Sequence, residues 1–326
     1  MKFKNIKFQQ QCPFVVYADF ECLTKPYNEK KKNSIYYQEH IPCSVAYKIV
    51  SRITGVAENR PLKIHTGEDA VVWFLQQLNS DVQELINLLC DDQRIQMTLE
   101  DQTKHDNARE CYICHRKFSE KNAKVRDHDH ISVKYRGAAH RSCNLFMRKQ
   151  YKLPVFFHNF RGYDSHLLVW GLAEDSTSKL SIIGQGLEKY LMIGWGDHIE
   201  FKDSLQFLPA SLERLIENLK SVAEDKFKNL IAHFSNASTP QLALLKQKGI
   251  YPYDWMNSLD KMKEVQLPAK EEFNSKLRNE ACSDADYKRA QLVWKEFGFQ
   301  NFLEYHEHYL KCIFYVSSIL HLLILQ

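Results

Sequence analysis

The spacing of apolar residues along the chain predicts strands in its first part and helices after them. Val15 to Leu23 is an apolar, β-branched run that is typical of a buried strand. Ile41 to Ile53 alternates apolar and polar residues and predicts a second strand, and Pro61 to His65 predicts a short third one. Gly67 to Leu89 has apolar residues at helical spacing, so one or two helices should follow. The Lys- and Asn-rich stretch from Pro26 to Asn33 predicts a loop.

The rest of the chain is assigned by the same criteria of periodicity and turn residues. Its expected elements are a polar linker at 91–107, three short antiparallel strands at 180–183, 190–193 and 199–202, a helix at 209–219, a mostly helical and charged region at 220–300, and an aromatic loop at 251–256 that packs in the core.

The composition is that of a globular protein, and its charge is unevenly distributed. The 326 residues suffice for one large domain or two modest ones, and 44% of them are hydrophobic. The net charge is only +4, but residues 104–152 hold 13 Lys and Arg against five Asp and Glu. A local basic block of this kind is expected where a protein contacts a phosphate backbone.

Cysteine usage and the two ends of the chain indicate a compartment without disulfides. The nine cysteines are odd in number and mostly scattered, so no disulfide framework is indicated. The first residues have no apolar core of signal-peptide length, and the uncharged stretch from Cys312 to Gln326 is too short for a membrane span. We expect an intracellular, reducing location and no membrane partner.

Two acids end the first apolar run at a spacing of two residues. Side chains at this spacing leave the same face of a strand, so Asp19 and Glu21 should share one space. Acids at the end of a core strand are rarely buried unless they are paired or bind a metal. Two readings stay open from these residues alone: a divalent-cation site, or a strand end with two solvated acids.

A pair of cysteine- and histidine-containing elements with matching gaps predicts a zinc site. Cys111 and Cys114 are separated by two residues, and His140 and Cys143 repeat this gap. Three thiolates and one imidazole in this spacing suit a tetrahedral structural Zn²⁺ site. Cys90 and His115 stay open as alternatives for the fourth ligand.

A second acidic segment brings a resemblance to a known family. Asn159, Tyr163 and Asp164 form an Asn-x-x-x-Tyr-Asp motif after an apolar segment and before a helix-like stretch. Together with Asp19 and Glu21, this motif resembles the first two exonuclease motifs of family B DNA polymerases, most closely those of the protein-primed branch found in viruses, linear organellar plasmids and self-synthesising transposons. The resemblance implies that Asp19, Glu21 and Asp164 hold two Mg²⁺ or Mn²⁺ ions for 3′–5′ phosphodiester hydrolysis.

The same resemblance assigns roles to further residues. Asn159 and Tyr163 match positions that hold the single-stranded 3′ end. Ser204 and Leu205 match an element that grips the primer end, although Ser204 also suits an ordinary helix cap. The third motif should read Tyr-x-x-x-Asp, and Tyr309 matches its tyrosine, but Ile313 stands where the aspartate is expected.

The replaced aspartate and the uncharged end that follows it affect the expected activity. With Ile313, one metal ion would lose a ligand and Tyr309 its carboxylate partner. The uncharged stretch after Lys311 is either a buried helix or the product of a shifted reading frame, and we favour the latter. DNA binding is therefore better supported than catalysis.

The segment between the two cysteine pairs resembles the His-Me finger of endonuclease VII-type nucleases. The resemblance places the metal carboxylate at Asp127, the general base at His128 and the metal-binding amide at Asn144. It places a phosphate-side histidine at His130. Arg136, Arg141 and Arg148 would contact backbone phosphates. The finger is interpreted either as a nuclease or as a zinc-stabilised DNA contact.

These observations lead to one expected architecture and to three functional hypotheses. We expect an α/β, RNase H-like exonuclease core at 1–104 and 153–326 with an inserted zinc-bound ββα finger at 105–152, a helical C-terminal part, and no polymerase palm. The main hypothesis is a fragment of a DNA-directed DNA polymerase that binds single-stranded 3′ ends and primer-template, with a protein primer as a further partner. The alternatives are a non-catalytic, zinc-containing DNA-binding module and a structure-specific DNA endonuclease.

Overall fold

A computed structural model of the protein describes residues 12–31, 34–51, 60–90, 95–129, 132–147, 152–175, 177–186, 188–222, 227–277 and 279–324. Within these ranges the strands are β1 Phe14–Lys31, β2 Ser34–Ser51, β3 Lys63–Thr66, β4 Lys124–His128, β5 Tyr135–His140, β6 Leu153–Phe157, β7 Leu180–Gly184, β8 Tyr190–Trp195 and β9 Ile199–Asp203. The α-helices are α1 Ala70–Cys90, α2 Leu99–Asn107, α3 Arg141–Met147, α4 Asp164–Glu174, α5 Leu212–Val222, α6 Lys228–His233, α7 Thr239–Leu245, α8 Asp284–Phe297 and α9 Phe302–Ile324.

Seven of the described strands form one mixed sheet, in the order β3-β2-β1-β6-β9-β8-β7, and β4 pairs with β5 in a separate hairpin. β1, β2 and β3 are antiparallel neighbours, whereas β1, β6 and β9 run parallel to one another. β8 and β7 extend the sheet in antiparallel fashion. Because Tyr17 pairs with Phe156, Asp19 lies beside the turn that follows β6. The chain is thus a mixed α/β protein.

Strand β1 is covered on both of its faces, since its two sets of alternating side chains enter different cores. Val16 and Phe20 pack with α1 and α4 in the larger core. Val15 and Tyr17 lie on the opposite face, in a core with residues of α6, α7 and α9. Asp19 and Glu21 continue this second set of positions, so they point toward the C-terminal helices.

A third core joins the far end of β1 and β2 to the C-terminal region. Leu23 and Cys43 pack there with aromatic residues of the 251–256 segment and of α9, among them Tyr251, Phe302 and Tyr309. The aromatic loop is therefore core packing at Tyr251 and Met256, as expected, whereas Tyr253 is largely exposed.

The sequence assignments are confirmed for β2, β3, the single helix α1 and the three strands β7 to β9. Their boundaries change little except that β2 begins at Ser34 and not at Ile41. The expected loop at 26–33 is wrong over its described residues. β1 continues to Lys31 and pairs with β2 as far as Ser34, because the hydrogen-bonded hairpin outweighs the weak strand propensity of Lys and Asn.

The expected linker at 91–107 is wrong in its second half, where α2 forms. Thr98 accepts a hydrogen bond from the backbone N–H of Asp101, and the Asp101 side chain accepts one from the N–H of Thr98. This capping box stabilises the helix start despite the polar sequence.

Helix α9 continues through the uncharged C-terminal stretch to Ile324. Over the described residues, no helix combines the length and the apolar character that a membrane span requires. Helices α1 and α4 are held in place by the larger core.

Phe74 of α1 should be a major determinant of stability. It is fully buried and contacts Phe20, Tyr47, Phe157 and Phe201. Phe74→Ala should lower the free energy of unfolding by about 3–5 kcal/mol, because it leaves a cavity between sheet and helix. Urea denaturation measures this value.

The matched control for this measurement is Leu99→Ala, because Leu99 is 90% exposed. Its free energy of unfolding should change by less than about 0.5 kcal/mol. Equal effects of the two substitutions would contradict the described core.

Candidate functional site

A pocket of about 560 Å³ lies where β1 meets the turn after β6 and where α9 covers the sheet. It is lined by Asp19 and Glu21 of β1, Asp164 at the start of α4, and Tyr309 of α9. The structure therefore brings together the residues that the resemblance names in three distant segments. The same pocket is lined by Asn159, Tyr163, Lys248, Tyr251, Tyr253 and Ile313.

The three acids of this pocket are held in an environment that opposes their ionisation. Burial raises the pKa of Asp19 to about 7, against the effect of the Phe20 backbone N–H. Burial, and then the charges of Asp19 and Asp164, raise the pKa of Glu21 well above its ordinary value, while Lys248 opposes the rise. The pKa of Asp164 is raised by burial and then by Asp19. Such shifts mark a pocket that favours added positive charge.

Asp164 carries the most informative single atom of the site. Its side chain is 2% exposed, and among the described residues its Oδ1 finds no hydrogen-bond partner. A buried carboxylate oxygen without a partner costs stability unless a cation or a proton satisfies it.

The ligand atoms of the acids are nevertheless not gathered as tightly as those of the cysteine cluster. Among the described residues, a single group of three or more His, Cys, Asp or Glu has all its ligand atoms within 4.8 Å of one another, and that group is Cys111, Cys114, His140 and Cys143. The carboxylates thus share a pocket without forming a compact ligand set.

The turn after β6 presents Asn159 and Tyr163 to the pocket. Asn159 has a positive φ of 70°, which asparagine tolerates better than most residues. A Cβ atom on Gly162 would lie 2.6 Å from Asn159 Oδ1, so a larger residue there would displace the Asn159 side chain. The Tyr163 hydroxyl lies 2.7 Å from His40 Nδ1, which fixes the ring at the pocket rim.

Sequence reasoning did not identify Asp203 as part of this region. Asp203 is fully buried at the end of β9 and accepts hydrogen bonds from the backbone N–H groups of Asn159 and Leu205, at 3.0 and 2.9 Å. Its charge also contributes to the raised pKa of Asp164. Asp203 therefore ties the Asn159 turn to the sheet. The sequence signal that could have identified Asp203 is its position as an acid at the end of a short predicted strand.

Ser204 and Leu205 lie next to Asp203 but do not line the pocket in the part of the chain that the structure describes. Ser204 is buried, and its Oγ lies 3.0 Å from Nδ1 of His158. Their contact with a primer end stays a prediction.

The segment 248–253 supplies pocket residues that sequence reasoning did not select as functional. Lys248 lines the pocket and lowers the pKa of Glu21 by its charge. Tyr251 stacks on Tyr309 with ring centroids 4.7 Å apart, and the hydroxyl groups of Tyr253 and Tyr309 are hydrogen-bonded. A lysine before a glycine in a loop has no distinguishing pattern, so a structure was needed to find it.

The cysteine cluster is built from a turn, the end of β5 and α3. The backbone N–H of His140 donates to Cys111 Sγ at 3.3 Å, and His140 Nδ1 lies 3.4 Å from Cys114 Sγ. His140 Nε2 lies 3.0 Å from the carbonyl oxygen of Lys117, so it must carry the donated proton. Nδ1 then directs its lone pair at the sulfur atoms, as a metal ligand requires.

The electrostatics of the cluster also suit a metal. Burial would raise the pKa of Cys111, but the N–H groups of Cys114, His140 and Ile113 lower it to about 7. The four side chains could therefore hold a metal ion such as zinc. His115 is not part of the cluster, and the Cys90 side chain lies outside the described residues.

The proposed finger residues have different surroundings. Asp127 is 2% exposed and accepts hydrogen bonds from the Tyr112 hydroxyl and, at 3.1 Å, from Arg136 Nη2. His128 follows it on β4 and is half-buried. Both oxygens of Asp127 already have donors, and the positive charge of Arg136 beside them disfavours a metal ion there.

Two of the remaining residues of the proposed finger, Arg141 and Asn144, lie on α3. Arg141 is exposed and Asn144 half-buried, while His130 and Arg148 lie outside the described residues. Their roles in DNA contact stay predictions.

Comparison with protein-family models, with curated proteins and with solved structures finds no match for this chain. The resemblance to polymerases therefore depends on the motif residues and on their placement.

The purified chain should contain stoichiometric zinc bound by the cysteine cluster. Cys143→Ser should abolish this zinc and speed hydrogen exchange of the β4–β5 amides, because the metal joins the hairpin to α3. Elemental analysis and exchange mass spectrometry measure both effects.

Cys282→Ser is the control, since Cys282 is a half-buried cysteine remote from the cluster. It should keep the full zinc content. Zinc retained by Cys143→Ser would contradict the assignment.

The raised pKa of Asp19 should make the stability of the magnesium-free chain depend on pH. The folded state keeps a proton on Asp19 up to about pH 7, whereas the unfolded state releases it near 3.8. The folded state binds more protons in this interval, so the free energy of unfolding falls as pH rises. Asp19→Asn should raise it at pH 8 by on the order of 1–3 kcal/mol, as measured by urea denaturation.

The exposed Asp197 provides a matched control in the same experiment. Asp197→Asn should leave the pH dependence unchanged. The interpretation fails if Asp19→Asn is no more stable than the unmodified chain at pH 8.

Proposed function

We propose that the chain is a fragment of a DNA-directed DNA polymerase and carries an RNase H-like 3′–5′ exonuclease region that binds single-stranded 3′ ends. The observation that carries the proposal is the convergence of Asp19, Glu21, Asp164 and Tyr309 on one pocket. These residues come from β1, from the start of α4 and from α9. They are far apart in sequence, so it is the fold that brings them together.

The sheet supports the RNase H-like part of the proposal. Its strands β3-β2-β1-β6-β9 have three antiparallel members followed by two that run parallel to β1. RNase H-like sheets have this order and these directions. The first acid also falls on β1, next to the parallel strand β6, and the turn after β6 reaches the pocket.

The donor set fits Mg²⁺ or Mn²⁺. The pocket offers carboxylate oxygens, which hard divalent cations prefer, and the unpartnered Oδ1 of Asp164 is the kind of atom that a cation would satisfy. Asp19, Glu21 and Asp164 are the residues that would hold the ions. Two such ions, when bound, activate water and stabilise the oxygens of an in-line displacement.

The other pocket residues provide contacts for a nucleic acid strand. Tyr163 and Tyr253 present aromatic rings at the rim, where a base can stack. Asn159 offers an amide, and Lys248 a positive charge, to the sugar-phosphate backbone. The Tyr309 hydroxyl lies inside the pocket, where it can orient a water or a phosphate oxygen.

Ile313 limits the chemistry. It lines the same pocket one helical turn beyond Tyr309, but its side chain has no ligand atom. A site that lacks one carboxylate should bind a strand while cleaving it slowly. We therefore expect DNA binding with little nuclease activity in the present sequence.

A zinc-containing DNA-binding role for the inserted segment is the second candidate. The Cys111–Cys143 cluster and the basic block at 104–152 favour it. The pairing of Asp127 with Tyr112 and Arg136 weighs against an endonuclease that uses Asp127 and His128.

Restoring the carboxylate should restore the exonuclease. Ile313→Asp should shorten an end-labelled single strand in Mn²⁺ at a rate on the order of 100-fold or more above the unmodified chain, because a lost metal contact costs several kcal/mol in the transition state. Denaturing gels of the time course measure the rate. Asp164→Asn in the Ile313→Asp background should remove the gain.

Ile313→Asn is the matched control, since it adds polarity without a charge, and it should gain far less. An unchanged rate for Ile313→Asp in a folded protein that binds the strand would sink the exonuclease proposal. Nicking of a closed circle that His128→Ala abolishes would instead support the endonuclease.

A further inference from the structure

A buried histidine on α9 connects the sheet to the pocket segment 248–253. His306 is fully buried, and its Nε2 lies 2.6 Å from Oγ of Ser44, which is also fully buried. Its Nδ1 lies 2.6 Å from the hydroxyl of Tyr251. One imidazole thus joins β2, α9 and the loop through both of its nitrogens.

The imidazole ring of His306 is neutral. Burial lowers the pKa of His306 to about 3. A neutral ring has one nitrogen that donates and one that accepts, and here each has a hydroxyl partner that can do either. The two bonds are therefore satisfied together without a buried charge.

The position of Tyr251 links this arrangement to the acids. Its ring stacks on Tyr309, and burial, followed by the charge of Glu21, raises the pKa of its hydroxyl group well above the ordinary value. A Cβ atom on Gly249 would lie 2.5 Å from Cδ2 of Tyr309, so the backbone before Tyr251 is pressed onto α9. Lys248 immediately precedes this contact and lines the pocket.

The geometry of α9 makes one face of the helix responsible for the pocket wall. His306, Tyr309 and Ile313 are spaced by three and four residues, so they lie on the same face. His306 contacts Tyr251 about one helical turn before Tyr309 and about two turns before Ile313, and both of these later residues line the pocket. A shift of Tyr251 would displace the backbone that carries Lys248.

We propose that His306 is a positioning residue. The hydrogen bond between its Nδ1 and the Tyr251 hydroxyl fixes the position of the segment 248–253 and thereby holds Lys248 at the phosphate of a bound DNA strand. The inference rests on the proposed function, because it names the strand as the ligand of the pocket. The bond from Nε2 to Ser44 anchors the ring but does not itself reach the pocket.

The two bonds can be separated by a matched pair of substitutions. The amide of asparagine can replace Nδ1, and the longer glutamine can replace Nε2. His306→Asn should keep the Tyr251 bond and lose the Ser44 bond, whereas His306→Gln should do the reverse. Both variants lose one buried hydrogen bond, so their denaturation midpoints should fall by similar amounts.

Binding of an end-labelled single-stranded oligonucleotide in Ca²⁺, measured by fluorescence anisotropy, distinguishes a positioning role from a purely structural one. His306→Gln should raise the dissociation constant at least tenfold, and His306→Asn should stay within threefold of the unmodified chain. The effect of His306→Gln should largely disappear when Lys248→Ala is also present, because both changes remove the same contact.

Tyr251→Phe is a second variant, and it keeps the ring while removing the hydroxyl group. It should reproduce the weakened binding of His306→Gln. If the His306 variants do not fold, Tyr251→Phe alone tests whether the bond to Tyr251 supports DNA binding. Equal affinities for His306→Asn and His306→Gln, or additive effects of His306→Gln and Lys248→Ala, would overturn the inference alone. If the unmodified chain does not bind the oligonucleotide, the proposed function fails and the inference fails with it.

Discussion

Strand β1 is buried on both faces, and two of its side chains are acids whose neighbours are largely apolar. Asp19 and Glu21 leave the same face as Val15 and Tyr17, and they line a pocket whose other walls include α9 and the segment 248–253. A carboxyl group in this setting is either protonated or compensated by positive charge. Asp164 adds a third acid, and Lys248 is the cation whose charge lowers the pKa of Glu21. The acids outnumber the cation that compensates them, and much of the architecture of the pocket follows from this excess of acidic groups.

The walls of the pocket come from parts of the chain that are far apart in sequence. The turn after β6 is fixed from behind by Asp203, which accepts hydrogen bonds from the N–H groups of that turn. Opposite it, α9 supplies Tyr309 and Ile313, and the 248–253 segment is clamped between α9 and the sheet. The acids therefore depend on long-range packing for their positions. A change in α9 alters the pocket without touching an acid.

The sequence predicted the elements whose cause is local and missed those whose cause is tertiary. The apolar run around Val16, the helical spacing of α1 and the turns between β7 and β9 are local signals, and the structure has these elements. The extension of β1 to Lys31 depends on pairing with β2, and α2 depends on one capping box at Thr98. In the site, acid and cysteine motifs have fixed spacings and could be recognised. Lys248, Tyr251 and His306 are instead placed by tertiary contacts, such as those of His306 with Tyr251 and Ser44, which are 55 and 262 residues away in sequence.

Asp127 and Asp164 show why burial alone does not identify a functional acid. Both are 2% exposed; Asp127 lies within β4, and Asp164 begins α4. Asp127 has an arginine and a tyrosine hydroxyl as partners, so its charge is compensated within the protein and stabilises the hairpin. Asp164 has Asp19, Glu21 and Asp203 as charged neighbours and an oxygen without a donor among the described residues. The first arrangement is complete without a ligand, and the second is not. A cation would therefore complete the arrangement around Asp164, whereas the hairpin at Asp127 has no corresponding unpartnered oxygen among the described residues.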